Sequence, residues 1–168
     1  MNKVLPTVLL LTLLLIAGTF PAKDNDVKWN VYKERINTGC TLSFLHPENL
    51  PVHRLENGLC VSSQTTESKI ITQGWCIWME DAQSFDEARE VSHYQTLLKE
   101  GAKVERRPIR IGGNPALRII FADKRGTCYD NVYFSAFGTH CSVLHQRRAS
   151  PAYEKFLNSI AVYKETKK

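Results

Sequence analysis

Short runs rich in Val, Ile, Leu and aromatic residues recur along this chain, and turn-forming residues separate them. Runs of this length and composition are typical of strands in a half-buried sheet. The turn residues Gly112-Gly113-Asn114 and Phe137-Gly138 indicate two hairpins. The pattern predicts strands over Val27 to Glu34, Cys40 to Leu45, Val52 to Ser62, Lys69 to Met79, Lys103 to Ile111, Pro115 to Ala122, Cys128 to Ala136 and Thr139 to His145.

Two segments have a helical period instead. Ser84-Phe85-Asp86-Glu87 has the form of a capping box, and apolar residues then recur every three or four positions to about Glu100, before Gly101. Ser150 followed by Pro151 is typical of the start of a second helix. In that second helix one apolar face is formed by Tyr153, Phe156, Leu157 and Ile160.

The order of these elements is strands, one long helix, four antiparallel strands and a closing helix. Such segregation predicts an α+β domain, in which an antiparallel β-sheet has helices packed on its faces.

The N-terminus has the pattern of a secretory signal. A charged start at Lys3 precedes an apolar stretch from Val4 to Ile16 and then small residues. We therefore expect residues 1–22 to be a signal peptide and residues 23–168 to form one domain in the periplasm or outside the cell. An uncleaved anchor is the alternative, although the apolar stretch is short for a bilayer span.

Five cysteines in an exported chain predict disulfides, with at least one cysteine left over. Cys60 and Cys76 are symmetric about the polar stretch Thr65 to Ser68, and Cys40 and Cys60 are symmetric about the turn-like stretch Pro47 to Pro51. We expect one bridge among these three, with Cys60 and Cys76 as the first choice, and a second bridge between Cys128 and Cys141. The spacing of Cys and His does not match a zinc site, so no metal is expected.

The segment Ile109-Arg110-Ile111-Gly112-Gly113-Asn114-Pro115-Ala116, together with Tyr133 and the closing helix, resembles the PsbP-like family. Upstream, Thr41 to Pro47 is similar to the early strand of that family. The resemblance implies an α/β/α sandwich around an antiparallel sheet. It also implies a fold that is used mostly for binding and seldom for catalysis.

The sequence gives little support for catalysis. No histidine lies beside a recognisable nucleophile turn, and the Gly112-Gly113 pair lacks the lysine and hydroxyl of a phosphate loop. No cofactor is expected. A thiol-dependent enzyme stays open as an alternative, with Cys40 and either His140 or His145 as the candidate pair.

The candidate interaction surface is a set of basic and aromatic residues on the strands. Arg106 and Arg110 share strand parity, so both project from one face, whereas Trp75 and Trp78 have opposite parity. An exposed tryptophan beside arginines is typical of a binding hot spot. The predicted partner-binding residues are Trp75, Trp78, Arg106, Arg110 and Arg118.

The chain carries a formal net charge of +5. This excess is too small to indicate nucleic-acid binding and mildly favours acidic partners. We expect a non-catalytic protein that binds a protein partner in the cell envelope, for example an immunity or inhibitor protein against a toxin or hydrolase. The alternative is an accessory protein of envelope maintenance or assembly that binds lipid or polymer through membrane contact.

Overall fold

The computed structural model describes residues 27–36, 39–81, 95–96, 99, 103–123 and 125–164. The predicted signal peptide, residues 1–22, and the start of the predicted domain lie outside this range. So does most of the predicted helix from Ser84 to Glu100, although Gln95, Thr96 and Lys99 are helical. In the part of the chain that is described, no helix has the length and apolar character of a membrane span.

Most of the described secondary-structure elements are β-strands. The strands and helices are β1 (Trp29–Ile36), β2 (Cys40–Pro47), β3 (Val52–Leu55), β4 (Gly58–Val61), α1 (Glu67–Gln73), β5 (Trp75–Asp81), β6 (Lys103–Ile111), β7 (Asn114–Ala122), β8 (Cys128–Ala136), β9 (Thr139–His145), α2 (Pro151–Ser159) and β10 (Ala161–Lys164).

These strands form two antiparallel sheets. The small sheet has the order β1-β2-β10, and the large sheet has the order β3-β4-β5-β9-β8-β7-β6. The hairpins β6–β7 and β8–β9 turn at Gly112-Gly113 and Phe137-Gly138, as predicted, and all four turn residues have positive φ. Positive φ at both central positions is the turn type that matches the twist of a hairpin.

The predicted α/β/α sandwich, with helices covering the faces of one sheet, is wrong. Strands account for 59% and helices for 17% of the described residues, and there are two sheets. The physical reason is one of size. With nine residues α2 is about 13 Å long, whereas seven strands span about 29 Å. A second sheet therefore takes up part of the core that the sandwich would have assigned to helices.

The main core lies between the inner faces of the two sheets and α2. It includes Leu42 and Phe44 from the small sheet, Ile77 and Phe134 from the large sheet, and Phe156 from α2. α2 itself packs against β2. Its predicted cap is confirmed, because the Ser150 hydroxyl accepts a hydrogen bond from the Tyr153 backbone N–H at 3.1 Å.

Two local predictions differ from the structure. The run from Val52 to Ser62 is two strands, β3 and β4, which pair across a turn at Glu56-Asn57. The run from Lys69 to Met79 is not one strand, because its first part belongs to α1, which buries Ile70. The four-residue strand β10 was not predicted, and it completes the small sheet by pairing with β2.

Candidate functional site

The two predicted tryptophans lie on opposite faces of the large sheet. Trp75 is 7% exposed and belongs to the main core, where it stacks on Phe156 at a centroid distance of 5.4 Å. Trp78 is half-buried and packs beside the disulfide on the other face. Trp75 is therefore placed to stabilise the core, and Trp78 is the tryptophan on the outer face.

Arg118 occupies a buried position and does not join the other predicted arginines. Its Nε and Nη2 donate to the two carboxylate oxygens of Asp130 at 2.8 and 2.6 Å. Nη2 also donates to Glu154 of α2 at 2.5 Å. The hydrogen bonds to Asp130 are the main reason that the pKa of Arg118 is raised. This network fixes α2 to the inner face of the large sheet.

Arg106 and Arg110 lie on the outer face of β6, which is an edge strand of the large sheet. Both are exposed, and Pro108 lies between them on the same face. Register places Arg106 opposite Ile119, and Arg110 opposite Pro115. We call Arg106, Pro108, Arg110 and Pro115 the basic edge. Together with Ile109, Ala116 and Leu117 these residues line a shallow groove of about 580 Å³.

Cross-strand partners show that Trp78 and the basic edge share one face. Register leads from Trp78 through Ser142, Tyr133 and Leu117 to Pro108. Partners that are directly opposite project to the same side of a sheet. Four strand spacings separate Trp78 from Pro108, which amounts to about 19 Å. The structure thus brings Arg106 and Arg110 together and keeps Trp78 at a distance.

The first predicted disulfide is confirmed. Cys60 and Cys76 are bridged with a Cα–Cα distance of 4.1 Å, and they are register partners in β4 and β5. The predicted Cys128–Cys141 bridge is absent. Cys141 lies opposite Phe134, six residues from Cys128, so the two are separated by about 20 Å along the strand direction.

The candidate thiols and histidines do not form a reactive pair in the described residues. Cys40 is fully buried in the core, and no hydrogen bond joins it to His140 or His145. Burial raises the pKa of Cys141 to about 12. Burial also lowers the pKa of His145 to about 4, and this ring stacks on Tyr153 at 4.2 Å.

One hydroxyl–histidine contact is present on the outer face. Ser135 Oγ and His140 Nδ1 are 3.2 Å apart. His140 is 3% exposed, so a substrate carbonyl has little access to its imidazole. This geometry is that of a cross-strand hydrogen bond within the sheet.

The fold resembles that of cyanobacterial PsbP. The solution structure of cyanobacterial PsbP from Synechocystis sp. PCC 6803 superposes with a TM-score of 0.53 and covers 88% of this chain and 99% of that one. Sequence identity is 10%, so the likeness concerns the fold. No protein-family model matches this chain, and no curated protein matches it either.

Sequence reasoning missed a cleft between one end of the small sheet and one end of the large sheet. It has a volume of about 520 Å³ and lies between β1, the β3–β4 hairpin and β5. Glu34 of β1 and Arg54 of β3 form a salt bridge of 2.7 Å across it. The pairing of two strands into different sheets creates this cleft, and the residue pattern of either strand alone does not reveal it.

Proposed function

We propose that this chain is an exported, non-catalytic binding protein that recognises an acidic protein partner in the cell envelope through the basic edge. The observation that carries the proposal is the placement of Arg106 and Arg110 on one exposed face of an edge strand, with Pro108 between them. Two arginines whose Cα atoms lie about 13 Å apart along one strand are suited to two carboxylates of one partner.

Arg110 is oriented by the turn that follows β6. Arg110 Nη1 donates to the Gly113 carbonyl of the adjacent turn at 2.7 Å. Since a guanidinium has five N–H donors, this bond orients the group and leaves donors for a carboxylate. Orientation before binding reduces the entropy cost of forming the complex.

Pro108 limits the way in which a partner can bind at this edge. It has no backbone N–H, so it interrupts the donors of an edge strand at its middle. Proline and charged side chains are devices that prevent strand addition at an edge. Recognition through side chains is therefore favoured over main-chain pairing at the basic edge.

The proposed location rests on two features. The N-terminal pattern predicts export, and the Cys60–Cys76 disulfide is typical of proteins that fold in an oxidising compartment.

A non-catalytic role is supported by the state of the thiols and histidines. The thiolate is the reactive form of cysteine, and burial opposes its formation at Cys141. The alternative of a thiol-dependent enzyme has no geometric support from Cys40 either, because that side chain is enclosed in the core.

A protein partner is favoured over a lipid surface for a specific reason. Binding to anionic lipid uses clusters of roughly four to eight flexible basic residues, whereas the outer face of β6 carries two arginines, next to the exposed Pro108 of β6 and Pro115 of β7. An immunity or inhibitor protein is one version of this proposal. An envelope accessory protein that binds lipid or polymer is the competing version.

The test is affinity capture of partners from an extract of the compartment in which the protein is found, followed by quantification of the bound protein. The variant Arg106→Glu, Arg110→Glu is compared with Lys28→Glu, Lys33→Glu. Both variants change the charge equally, but Lys28 and Lys33 are exposed residues in or beside β1 of the small sheet.

We expect one stoichiometric protein partner that the control variant retains and that the Arg106, Arg110 variant loses by at least tenfold. The bound fraction should fall as salt is raised, because exposed charges are screened. Equal capture by both variants would contradict the site. Flotation of the protein with phosphatidylglycerol vesicles, with no protein partner captured, would replace the protein partner by a lipid one.

A further inference from the structure

The cleft between the two sheets has an apolar floor. Alternation along β1 places Glu34 and Ile36 on the inner face of the small sheet. Register places Arg54 opposite Leu59 on the inner face of the large sheet, to which Met79 of β5 also belongs. Ile36 and Leu59 are buried, and Met79 packs against the same core. We call these three apolar side chains the floor, because an apolar group that rests on them is removed from water.

Glu34 provides a carboxylate beside the floor. Its side chain is 16% exposed. The Tyr32 hydroxyl donates to Glu34 Oε2 at 3.0 Å, and Arg54 Nη1 lies 2.7 Å from Oε1. Burial, together with the hydrogen bond to Glu34, raises the pKa of Tyr32, so its hydroxyl stays protonated and holds the carboxylate in place. A carboxylate that is oriented before binding loses less entropy when it takes up a ligand.

The cation that pairs with Glu34 reaches it from the surface. The Arg54 side chain is 75% exposed. An ion pair with a solvent-exposed arginine contributes little to stability, because water solvates the separated guanidinium well. A ligand cation can therefore displace Arg54 from Glu34 at small cost, and the guanidinium then returns to solvent.

The charge and the size of the cleft define the class of ligand. Its described lining holds three carboxylates, those of Glu34, Glu56 and Glu80, and the two guanidinium groups of Arg35 and Arg54. This balance favours a cation, unlike the acidic partner proposed for the basic edge. The volume of about 520 Å³ lies in the range of small-molecule sites. The floor adds the requirement that the cation carries an apolar chain.

We propose that the cleft is a binding site for a primary aliphatic amine, whose ammonium group replaces Arg54 at Glu34 and whose alkyl chain covers the floor. An ammonium group has three N–H donors, and Glu34 Oε1 accepts from one of them once Arg54 has moved. The site is independent of the proposed protein partner, because β3 and the basic edge on β6 lie at opposite edges of the large sheet.

The probe is n-hexylamine, titrated at neutral pH into the full chain with labelled methyl groups and followed by nuclear magnetic resonance. We expect saturable shifts of the methyl signals of Ile36, Leu59 and Met79. Hexan-1-ol keeps the chain without the charge, and methylamine keeps the charge without the chain, so each should bind at least fivefold more weakly. Equal binding of hexan-1-ol would overturn the role of Glu34, and equal binding of methylamine would overturn the role of the floor.

Two variants should change the affinity for hexylamine in opposite directions. Glu34→Gln keeps an acceptor for Tyr32 but removes the charge, and we expect at least a fivefold loss of binding. Arg54→Ala removes the competing cation and should strengthen binding at least twofold. Arg35→Ala is its matched control, because it removes the same charge from the next residue of β1, which has the opposite parity. Equal strengthening by both arginine variants would mean that net charge rather than release of Glu34 controls binding, and would overturn the proposal.

The comparison of hexylamine with hexan-1-ol uses the parent chain, so it tests the proposal even if Glu34→Gln does not fold. Melting temperatures report the folding of each variant. The absence of saturable shifts at the floor with hexylamine would overturn the site. The variant Arg106→Glu, Arg110→Glu should bind hexylamine as the parent chain does, so a failure of this site and a failure of the proposed function are separate results.

Discussion

Arg118 forms a bidentate ion pair with Asp130 on the inner face of the large sheet. Leu117, the preceding residue of β7, lies on the outer face. The Arg118 side chain is 11% exposed and that of Asp130 is 2% exposed. Tyr153 of α2 adds a hydrogen bond from its hydroxyl to the Asp130 carbonyl at 3.0 Å. A charged pair therefore lies buried under α2.

Replacing Arg118 by methionine should lower the free energy of unfolding by about 3–5 kcal/mol, because Asp130 is left buried and unpaired. Urea denaturation measures this. Glu154→Gln is the matched control and should cost at most about 1 kcal/mol, since the Glu154 side chain is 40% exposed. A double variant Arg118→Met, Asp130→Leu should recover most of the loss, and failure to recover would show that packing rather than charge dominates.

Stability should fall as the pH drops from about 6.5 to about 4 because of His145. Burial lowers the pKa of His145 to about 4 in the folded chain, so the unfolded chain takes up a proton first. The loss is on the order of 3 kcal/mol and is complete below the folded pKa. Asp130, Arg118 and Arg147 are the charged groups that act on His145.

The measurement is urea denaturation at several pH values, with His145→Phe as the comparison. This variant should remove that part of the pH dependence. An identical pH dependence in both proteins would assign the acid sensitivity to other groups.

Thiol reactivity should distinguish the five cysteines. Cys128 is partly exposed, whereas Cys40 and Cys141 are buried and Cys60 and Cys76 are bridged. We expect one thiol to react with a colorimetric disulfide reagent in the folded protein and three to react after denaturation without reductant. Five reactive thiols in denatured protein prepared from an oxidising compartment would contradict the Cys60–Cys76 bridge.

Gly58→Ala should destabilise the chain by about 1–3 kcal/mol, because β4 approaches β5 closely at this position. A Cβ atom at Gly58 would lie 2.7 Å from the Ile77 carbonyl oxygen and 3.2 Å from the Trp78 ring. Thermal denaturation checks the loss, and Gly113→Asn is a suitable comparison since nothing lies within 4 Å of its Cβ position. An equally stable Gly58→Ala variant would show that β4 can shift away from β5.

The strands and turns of the C-terminal half were predictable because the information is local. β6 to β9 follow from apolar residues at strand spacing, and their hairpins follow from residues that tolerate positive φ. The turn at Glu56-Asn57 was missed, although Asn57-Gly58 is a turn-forming dipeptide. The first part of the run from Lys69 to Met79 gave no such signal, because an apolar run of that length suits either a strand or a helix.

For the candidate site, too, local sequence patterns predicted one part and tertiary contacts decided the other. Strand period alone put Arg106 and Arg110 on one face, and Trp75 and Trp78 on opposite faces. Which of those faces is the core depends on contacts between distant elements, and so does the burial of Arg118 under α2. Symmetry about a turn likewise placed Cys60 opposite Cys76, but the distance between Cys128 and Cys141 follows from the register of β8 and β9.

The sequence by itself thus determined the strands and turns from β6 to β9 and the relative parity of the arginines, because each depends on the conformational preferences of adjacent residues. The tertiary structure decided that β1, β2 and β10 leave the large sheet and form their own, which no local pattern encodes. Packing of α2 on the large sheet buries Arg118, the strand order leaves Arg106 and Arg110 on the edge strand β6, and the division into two sheets opens the cleft between them. Long-range pairing of strands, rather than the strands themselves, created the basic edge and the cleft.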